Sequence, residues 1–192
     1  MSDFDVIIVG GGIAGASLGA EIAGARRTLI VEAEDQCGYH ATGRSAAFYL
    51  ESYGGSEVAN LTLASGDFLR TPPQTFSEQG FLRVRGDLHV TRDELPQLPP
   101  AVETRVVERA ELEQLIPGIR PEWRRALFEP GCADIDVAAL HSAYLRQFRS
   151  AGGTVRLNVR LHSATPRCAG WEVRLADGEQ LSAPVLVNAA GA

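Results

Sequence analysis

A glycine-rich turn between an apolar run and a helical segment constrains this chain more than any other feature of its sequence. Phe4 to Val9 is a short, β-branched, nearly continuous apolar run, which predicts a strand buried on both faces. Gly10 to Gly15 satisfies G-x-G-x-x-G, and residues 16–25 are small and favour a helix. Thr28 to Val31 predicts a second strand, which ends at the acidic Glu32. This order predicts the dinucleotide-binding unit of a parallel α/β sheet.

The residue types in this turn match the needs of a bound diphosphate. Gly10 allows a tight turn out of the strand, and Gly12 lets the backbone approach a pyrophosphate. Gly15 and Gly19 offer a flat helix face for close packing on the sheet, while the helix N-terminus faces the phosphates. Glu32 can accept from ribose hydroxyls, and its charge would repel the 2′-phosphate of NADP. The alternative is an ordinary glycine turn that binds no nucleotide.

Composition limits the classes of protein to which this chain can belong. Of the 192 residues, 45% are hydrophobic and 22% charged, as expected of a globular protein that buries a core. The net charge is −6 and Lys and Arg do not cluster, so nucleic acid is not expected as a partner. The N-terminal apolar run is too short for a signal peptide or a membrane span, so no transmembrane segment is expected.

Cysteine and histidine spacing points to neither disulfides nor a metal. Cys37, Cys132 and Cys168 are odd in number and far apart, which favours a reducing cytoplasmic location. The four histidines show neither H-x-H nor H-x-x-x-H spacing, so no metal site is expected.

The segment after Glu32 departs from a plain NAD-binding domain. Residues 33–43 are polar and loop-like, and the chain contains the run Gly38-Tyr39-His40-Ala41-Thr42-Gly43-Arg44-Ser45-Ala46-Ala47. With this run the chain resembles the FAD-dependent amine oxidoreductases of the D-amino-acid oxidase and glycine oxidase superfamily. It looks closest to the D-amino-acid dehydrogenases, D-arginine dehydrogenase in particular. Ala133-Asp134-Ile135-Asp136 and the helix that follows are similar to the same type.

The resemblance implies an α/β protein with a Rossmann-like FAD-binding domain of the GR2 type and an inserted α+β substrate domain. The FAD-binding domain would comprise residues 1–47 and 138–192, and residues 48–137 would form part of the substrate-binding domain. Because the family is much longer than this chain, an N-terminal half with an incomplete fold is expected. Such a half is expected to be inactive by itself and only marginally stable.

The remaining segments are predicted to alternate between helices and short strands. Pro72 and Pro73 end a helix that begins near Phe48 and extends to about Leu69. A turn at Gly86-Asp87 is expected to join two strands in a hairpin. Those strands are predicted at 81–85 and 88–91, further helices at 110–116 and 137–150, strands at 154–157 and 185–188, the last one buried, and a second hairpin at 171–175 and 180–181.

Cofactor contacts are expected in four segments. The glycine turn and Glu32 would hold the pyrophosphate and a ribose. Thr42, Arg44 and Ser45 supply two hydroxyls and a permanent cation, and the resemblance implies that their segment passes under the flavin. The resemblance also implies contacts near Leu161 and in the final Asn-Ala-Ala-Gly-Ala turn. The expected cofactor-binding residues are Gly10, Gly12, Ile13, Ala14, Gly15, Glu32, Ala33, Thr42, Arg44, Ser45, Ala46, Ala47, Leu161, Ala190 and Gly191.

Three residues of the middle segment are candidates for substrate contact through the resemblance. Tyr53 matches a position that reaches over the substrate pocket, and Asp87 falls where related proteins have an acid that contacts a basic side chain. Phe48 stands where those proteins have a histidine, so the pocket would be more apolar and would lack one hydrogen-bond donor. Ordinary packing or turn roles stay open for Tyr53 and Asp87. No catalytic residue is assigned.

The expected function is FAD-dependent oxidation of a D-amino acid or a related amine, with hydride transfer to the flavin. A secondary amine or a 2-hydroxy acid is the alternative substrate, because relatives that share the N-terminal segment use both. A nucleotide-binding module without catalysis is the alternative of a different class. The electron acceptor stays open between oxygen, a quinone and another carrier.

Overall fold

The computed structural model describes residues 3–191. Met1, Ser2 and Ala192, which the predicted FAD-binding segments include, lie outside the described residues. The chain divides into two compact units: unit 1 holds residues 3–46 and 137–191, and unit 2 holds residues 47–136. The functions assigned to these two parts of the chain stay predictions.

Short strands dominate the described part of the chain, and four helices accompany them. In chain order the elements of residues 3–191 are β1 (Val6–Val9), α1 (Ile13–Ile22), β2 (Thr28–Val31), β3 (Phe48–Tyr49), α2 (Gly55–Arg70), β4 (Leu82–Val84), β5 (Asp87–Thr91), β6 (Arg105–Glu108), α3 (Arg109–Leu115), β7 (Arg125–Glu129), β8 (Ala133–Ile135), α4 (Val137–Ser150), β9 (Thr154–Arg156), β10 (Leu161–Arg167), β11 (Gly170–Leu175), β12 (Gln180–Ala183) and β13 (Val185–Asn188). The elements from β3 to β8 belong to unit 2, and the others belong to unit 1.

Unit 1 is built on a parallel sheet in the order β13-β1-β2-β9. Ile7 and Ile8 of β1 and Leu29 and Ile30 of β2 have no exposed surface, as the predicted two-sided burial requires. The place beside β2, where a plain dinucleotide fold has its third consecutive strand, is taken by β9 from much later in the chain. Residues 33–43 form turns instead, as the sequence predicts.

Helices α1 and α4 pack side by side in unit 1. Gly19 of α1 permits this packing, because a Cβ there would lie 3.0 Å from Phe148 Cδ2 and 3.1 Å from Ile30 Cδ1. Phe148 of α4 is fully buried in a cluster with Val6, Ile8 and Ile30. The small residues of α1 therefore bring two helices close to the parallel sheet, which is the role predicted for Gly19.

A second, antiparallel sheet in the order β10-β11-β12 packs against the strands of the parallel sheet in unit 1. The predicted second hairpin is confirmed, because β11 and β12 pair around a turn in which Gly178 has a φ of +92°. Val173 and Leu175 of β11 are buried against Ile7 and Leu29. This layer buries one face of the sheet that carries the glycine turn.

Unit 2 contains two antiparallel three-stranded sheets, in the orders β3-β8-β4 and β5-β7-β6. The second sheet is covered by α3, whose Leu112 is buried with Val107 and Ala126. The unit is therefore mixed α and β, with short elements joined by long loops.

The predicted helix from Phe48 is wrong at its N-terminal end. Phe48 lies on β3, paired with Asp134 of β8, and α2 begins only at Gly55. Gly54 and Gly55 have φ values of +79° and +81°, a left-handed conformation that cannot continue a right-handed helix. The conformation of these two glycines therefore sets the start of α2 at Gly55.

The predicted hairpin across Gly86 is also wrong. Strand β4 pairs with β8 whereas β5 pairs with β7, so the two strands belong to different sheets. The amides of Arg85 and Gly86 both donate to the Cys132 carbonyl at 3.0 Å. These two bonds end the pairing of β4 with β8, and the positive φ of Gly86, +76°, turns the chain towards the other sheet.

The last strand is less buried than predicted. Val185 of β13 is 47% exposed and Asn188 is exposed as well. Strand β13 lies at the edge of the parallel sheet, so one of its sides has no neighbouring strand among the described residues.

Two kinds of feature are absent from the described part of the chain. No helix of residues 3–191 has the length and apolar character needed to cross a membrane. No group of three or more His, Cys, Asp or Glu side chains in the same range could hold a metal ion.

Candidate functional site

A cavity of about 830 Å³ opens in unit 1 at the carboxyl ends of β1, β2 and β13. In open α/β sheets this is the edge where ligands bind. The wall also includes residues 38–42 and the segment that enters β10. The predicted cofactor residues that line the cavity are Gly10, Gly12, Ile13, Ala14, Glu32, Ala33, Thr42, Leu161, Ala190 and Gly191.

The three motif glycines have different physical roles. Gly10 has a φ of +102°, and a side chain there would overlap the Ala189 carbonyl. A side chain on Gly15 would overlap the Gly10 carbonyl. Gly12 faces only Thr42 Oγ1, which would lie 3.1 Å from its Cβ, and it lines the cavity. Gly10 and Gly15 are therefore needed for the fold, whereas Gly12 keeps a cradle open that a side chain would fill.

Glu32 connects the end of β2 to the glycine turn. Its side chain is buried, and its Oε2 accepts the Gly11 amide at 2.8 Å. Its Oε1 accepts the Glu34 amide at 3.1 Å. Each carboxylate oxygen has a further lone pair, so Glu32 can accept from ribose hydroxyls while it keeps both amides.

The N-terminus of α1 opens into the cavity, and Thr42 lies beside it. Thr42 Oγ1 accepts the Ile13 amide at 2.9 Å. The amide of Ala14, which lines the cavity in the same first turn, has no acceptor within the helix, and the Thr42 hydroxyl can still donate its own hydrogen. Together with the helix dipole these donors suit an anion such as a pyrophosphate.

Cys37 packs on the turn from outside. A side chain on Gly11 would overlap its Sγ. Burial and, to a smaller extent, the nearby Glu32 carboxylate together raise the pKa of the Cys37 thiol to about 11. The thiol is therefore protonated at neutral pH and acts as a small packing group.

The remaining predicted cofactor residues lie outside the cavity wall. Arg44 is exposed, with its guanidinium 5.1 Å from the centre of the Tyr39 ring. Ser45 and Ala46 are exposed, and Ala47 belongs to unit 2. Gly15 is buried beneath the turn. A direct contact of these residues with a cofactor stays a prediction.

The three predicted substrate residues lie on separate segments of unit 2. Phe48 of β3 is half-exposed, and the Arg85 guanidinium, which bonds Asp134 at 3.0 Å, lies 4.9 Å from its ring centre. Tyr53 is 71% exposed in the turn before α2. Asp87 opens β5 with its carboxylate 3.4 Å from His89 Nε2. Their joint role stays a prediction.

A glycine turn, a buried acid and a helix N-terminus at the carboxyl edge of a parallel sheet define a dinucleotide-binding α/β protein. The sequence profile of one protein family, described as "DAO: FAD dependent oxidoreductase", matches residues 5–192. The chain belongs to this family of FAD-dependent oxidoreductases, and its cofactor is FAD.

Solved structures of amino-acid-oxidising enzymes share the fold. Glycine oxidase from Geobacillus kaustophilus superposes with a TM-score of 0.82 at 19% identity, over 100% of this chain and 56% of that one. NikD, an unusual amino acid oxidase of nikkomycin biosynthesis, gives 0.83 at 22%, over 100% and 52%. L-proline dehydrogenase from P. horikoshii gives 0.80 at 15%, over 98% and 53%. The chain thus spans about half the length of these proteins, and the similarity shows the fold alone.

The residues of the cavity fit FAD. Gly12 leaves room where the pyrophosphate must approach the backbone, and the first turn of α1 supplies amide donors. Glu32 supplies acceptors for ribose hydroxyls, and its negative charge excludes a 2′-phosphate at that place. The donor set therefore matches a dinucleotide without a 2′-phosphate.

Sequence reasoning missed residues that the tertiary structure brings to the site. Glu34 and Arg160 line the cavity. His141 contacts the glycine turn from α4, although it is 130 positions away from Gly11 in the chain. No local pattern marks such a residue, because its contact depends on how α4 packs on α1.

Proposed function

We propose that the protein oxidises a D-amino acid or a related amine and passes a hydride to FAD. The observation that carries this proposal is the FAD site of the glycine turn, Glu32 and Thr42 in a chain of the FAD-dependent oxidoreductase family. Glycine oxidase, the amino acid oxidase NikD and L-proline dehydrogenase share the fold, which supports an amino-acid substrate. The D configuration rests on the resemblance of residues 38–47 and 133–136 to D-amino-acid dehydrogenases.

The residues of this chain would bind and orient the reactants. When bound, FAD supplies the hydride acceptor. The glycine turn and Thr42 hold its pyrophosphate, and Glu32 holds a ribose. In unit 2, Tyr53 and Phe48 would bound the substrate pocket, and Asp87 would meet a polar or basic end of the substrate. The phenyl ring of Phe48 favours substrates with apolar side chains over those that D-arginine dehydrogenases prefer.

Dye reduction by the purified flavoprotein at its full natural length tests the proposal, because residues 1–192 by themselves are expected to be inactive. Matched panels of D- and L-amino acids, with basic and apolar side chains, are offered with an artificial electron acceptor. We expect turnover of D-amino acids, with apolar side chains preferred, and flavin release on denaturation. Preference for the L enantiomers would overturn the stereochemical part. Flavin content without turnover of any amine or 2-hydroxy acid would favour a nucleotide-binding module without catalysis.

A secondary amine is the second candidate substrate, because the fold is shared with an L-proline dehydrogenase. Secondary amines and 2-hydroxy acids in the same assay separate these classes. Hydrogen peroxide formation, compared with dye and quinone reduction, identifies the electron acceptor.

Two further parts of the proposal concern the cellular compartment and the macromolecular partners of the protein. We propose a reducing, cytoplasmic compartment, because Cys37, Cys132 and Cys168 are all free thiols. We propose no nucleic-acid partner, because the net charge of −6 disfavours binding to a polyanion.

A further inference from the structure

We propose that His141 is a positioning residue of the FAD site, where it fixes the peptide group between Gly11 and Gly12. His141 lies on α4, and its side chain is buried, with 8% of the residue exposed. Its Nε2 lies 2.8 Å from the Gly11 carbonyl oxygen. Because a carbonyl oxygen can only accept, Nε2 carries the hydrogen and donates it. This inference rests on FAD as the cofactor and not on the proposed substrate.

The bond determines where the Gly12 amide points. In a planar trans peptide, the carbonyl oxygen of one residue and the amide hydrogen of the next point in opposite directions. Since His141 holds the Gly11 carbonyl, the Gly12 N–H is directed away from His141. Gly12 lines the cavity, so its amide becomes a fixed donor for a pyrophosphate oxygen. The bond to the carbonyl also polarises the peptide group and strengthens this donor.

Gly11 is held on both of its peptide groups. Glu32 Oε2 accepts its amide at 2.8 Å, and His141 donates to its carbonyl at 2.8 Å. Without these ties a run of three glycines would sample many backbone conformations, because glycine populates positive and negative φ alike. FAD would then have to order the turn when it binds. The loss of conformational entropy in the turn would lower the affinity for FAD.

The ring of His141 has a specific place in unit 1. Gly38 has a φ of +78°, and a Cβ there would lie 2.8 Å from His141 Cε1 and 3.1 Å from Nδ1. Gly38 therefore leaves the space that the ring fills. The Gly38 carbonyl accepts the Gly43 amide at 2.8 Å, within the turn that carries Thr42. His141 thus joins α4, the glycine turn and the turn of Thr42.

The test compares binding of FAD, ADP and adenosine to the apo-protein. His141→Phe keeps a ring without a donor, whereas His141→Gln can place an amide nitrogen where the imidazole Nε2 lies. We expect the Phe variant to bind FAD and ADP about five- to tenfold more weakly, the effect of one lost hydrogen bond. Adenosine, which has no phosphate, should bind unchanged. The Gln variant should return ADP affinity to within about twofold of the wild type.

A purely structural role would give a different pattern. Leu140→Ala, buried on the same helix, is the matched control and should leave the ratio of ADP to adenosine affinity unchanged. The proposal is overturned if His141→Phe binds ADP as the wild type does, or weakens ADP and adenosine equally. Failure of His141→Gln to restore ADP binding would also overturn it.

A third variant covers the case in which His141→Phe does not fold. His141→Asn carries its donor too close to the helix to reach Gly11, so it should show the selective loss of ADP that His141→Gln does not. Equal ADP affinity of the Asn and Gln variants would overturn the proposal. None of these measurements involves a substrate, so a failure to oxidise D-amino acids would leave them unaffected.

Discussion

Each unit contains a glutamate that is buried and accepts two backbone amides, and the two sites differ in what lies beyond the carboxylate. Glu32 in unit 1 holds its amides with one oxygen each and lines the cavity. Glu129 in unit 2 accepts the amides of Glu51 and Ser52 with a single oxygen, at 2.8 and 3.2 Å. Its other oxygen lies 3.1 Å from His89 Nε2.

Glu129 has no exposed surface, and each of its two carboxylate oxygens lies within hydrogen-bond distance of a partner in unit 2. It ties β7 to the segment that precedes Tyr53 and, through His89, to β5. Burial and amide bonds alone therefore do not identify a ligand site. The distinguishing property of Glu32 is the open cavity on one side of a carboxylate that still has acceptor capacity. We therefore propose a ligand role for Glu32, whereas both oxygens of Glu129 bond within the fold.

The largest expected effect is a loss of stability when the enclosed carboxylate of Glu129 is removed. Glu129→Ala leaves the amides of Glu51 and Ser52 without this acceptor and removes the nearer of the two carboxylates beside His89, so we expect a loss of about 3–5 kcal/mol in the free energy of unfolding. Urea unfolding measures it. Glu129→Gln is the control, because its amide oxygen can still accept both backbone amides and its loss should be smaller. A loss below about 1 kcal/mol for Glu129→Ala would break the comparison.

A side chain placed at Gly12 tests whether FAD needs the open space of the cavity. Gly12→Val places a side chain where the pyrophosphate approaches, so we expect FAD affinity to fall by about a hundredfold or more. The fold should survive, because Thr42 Oγ1, at 3.1 Å, is the one close neighbour of a Cβ at Gly12 among residues 3–191. Gly15→Val is the contrasting variant and should not fold, since its side chain would overlap the Gly10 carbonyl. Normal flavin content in Gly12→Val would contradict the geometry of the turn.

Removing the open carboxylate should affect binding more than folding. Glu32→Ala would delete the proposed charge-assisted bonds to a ribose, together with the bonds from the Gly11 and Glu34 amides that order the turn, so we expect the free energy of FAD binding to weaken by about 1.5–3 kcal/mol. Titration of the apo-protein with FAD, followed by flavin fluorescence, measures the change. Glu34→Ala, one of the missed cavity residues, is the matched control with a smaller expected loss. Unchanged affinity in Glu32→Ala would remove the ribose contact from the proposal.

The smallest effect is a reactivity change at the thiol next to Glu32. With a pKa of about 11, Cys37 in the apo-protein should alkylate slowly at pH 7, and its rate should rise about tenfold per pH unit up to that pKa. Glu32→Gln removes the negative charge that raises this pKa, so alkylation at a fixed pH should become faster. Mass spectrometry of iodoacetamide-treated protein resolves Cys37 from the exposed Cys168. A pH-independent rate at Cys37 would contradict the raised pKa.

Errors of the sequence-based predictions share one physical origin. Gly54 lies within the helix predicted from Phe48, and Gly86 lies at the predicted turn of a hairpin. In the structure, the positive φ values of both glycines accompany a change from one element to another. The pairing of β4 with β8 and of β5 with β7 joins segments far apart in the chain. Local propensity cannot determine which distant strand a residue meets, because register and partner are decided by the packing of the whole unit.

The sequence by itself determined the strand, turn, helix and acid of residues 4–32, because each of these depends on neighbours within a few positions. It also indicated α4 and the β11–β12 hairpin, whose signals are equally local. The tertiary structure alone decided that β9 lies beside β2, and that Glu32 faces a cavity while Glu129 is enclosed. It also placed His141 on the Gly11 carbonyl. These contacts join residues that are distant in the chain. They depend on how the elements pack, so no local sequence pattern predicts them.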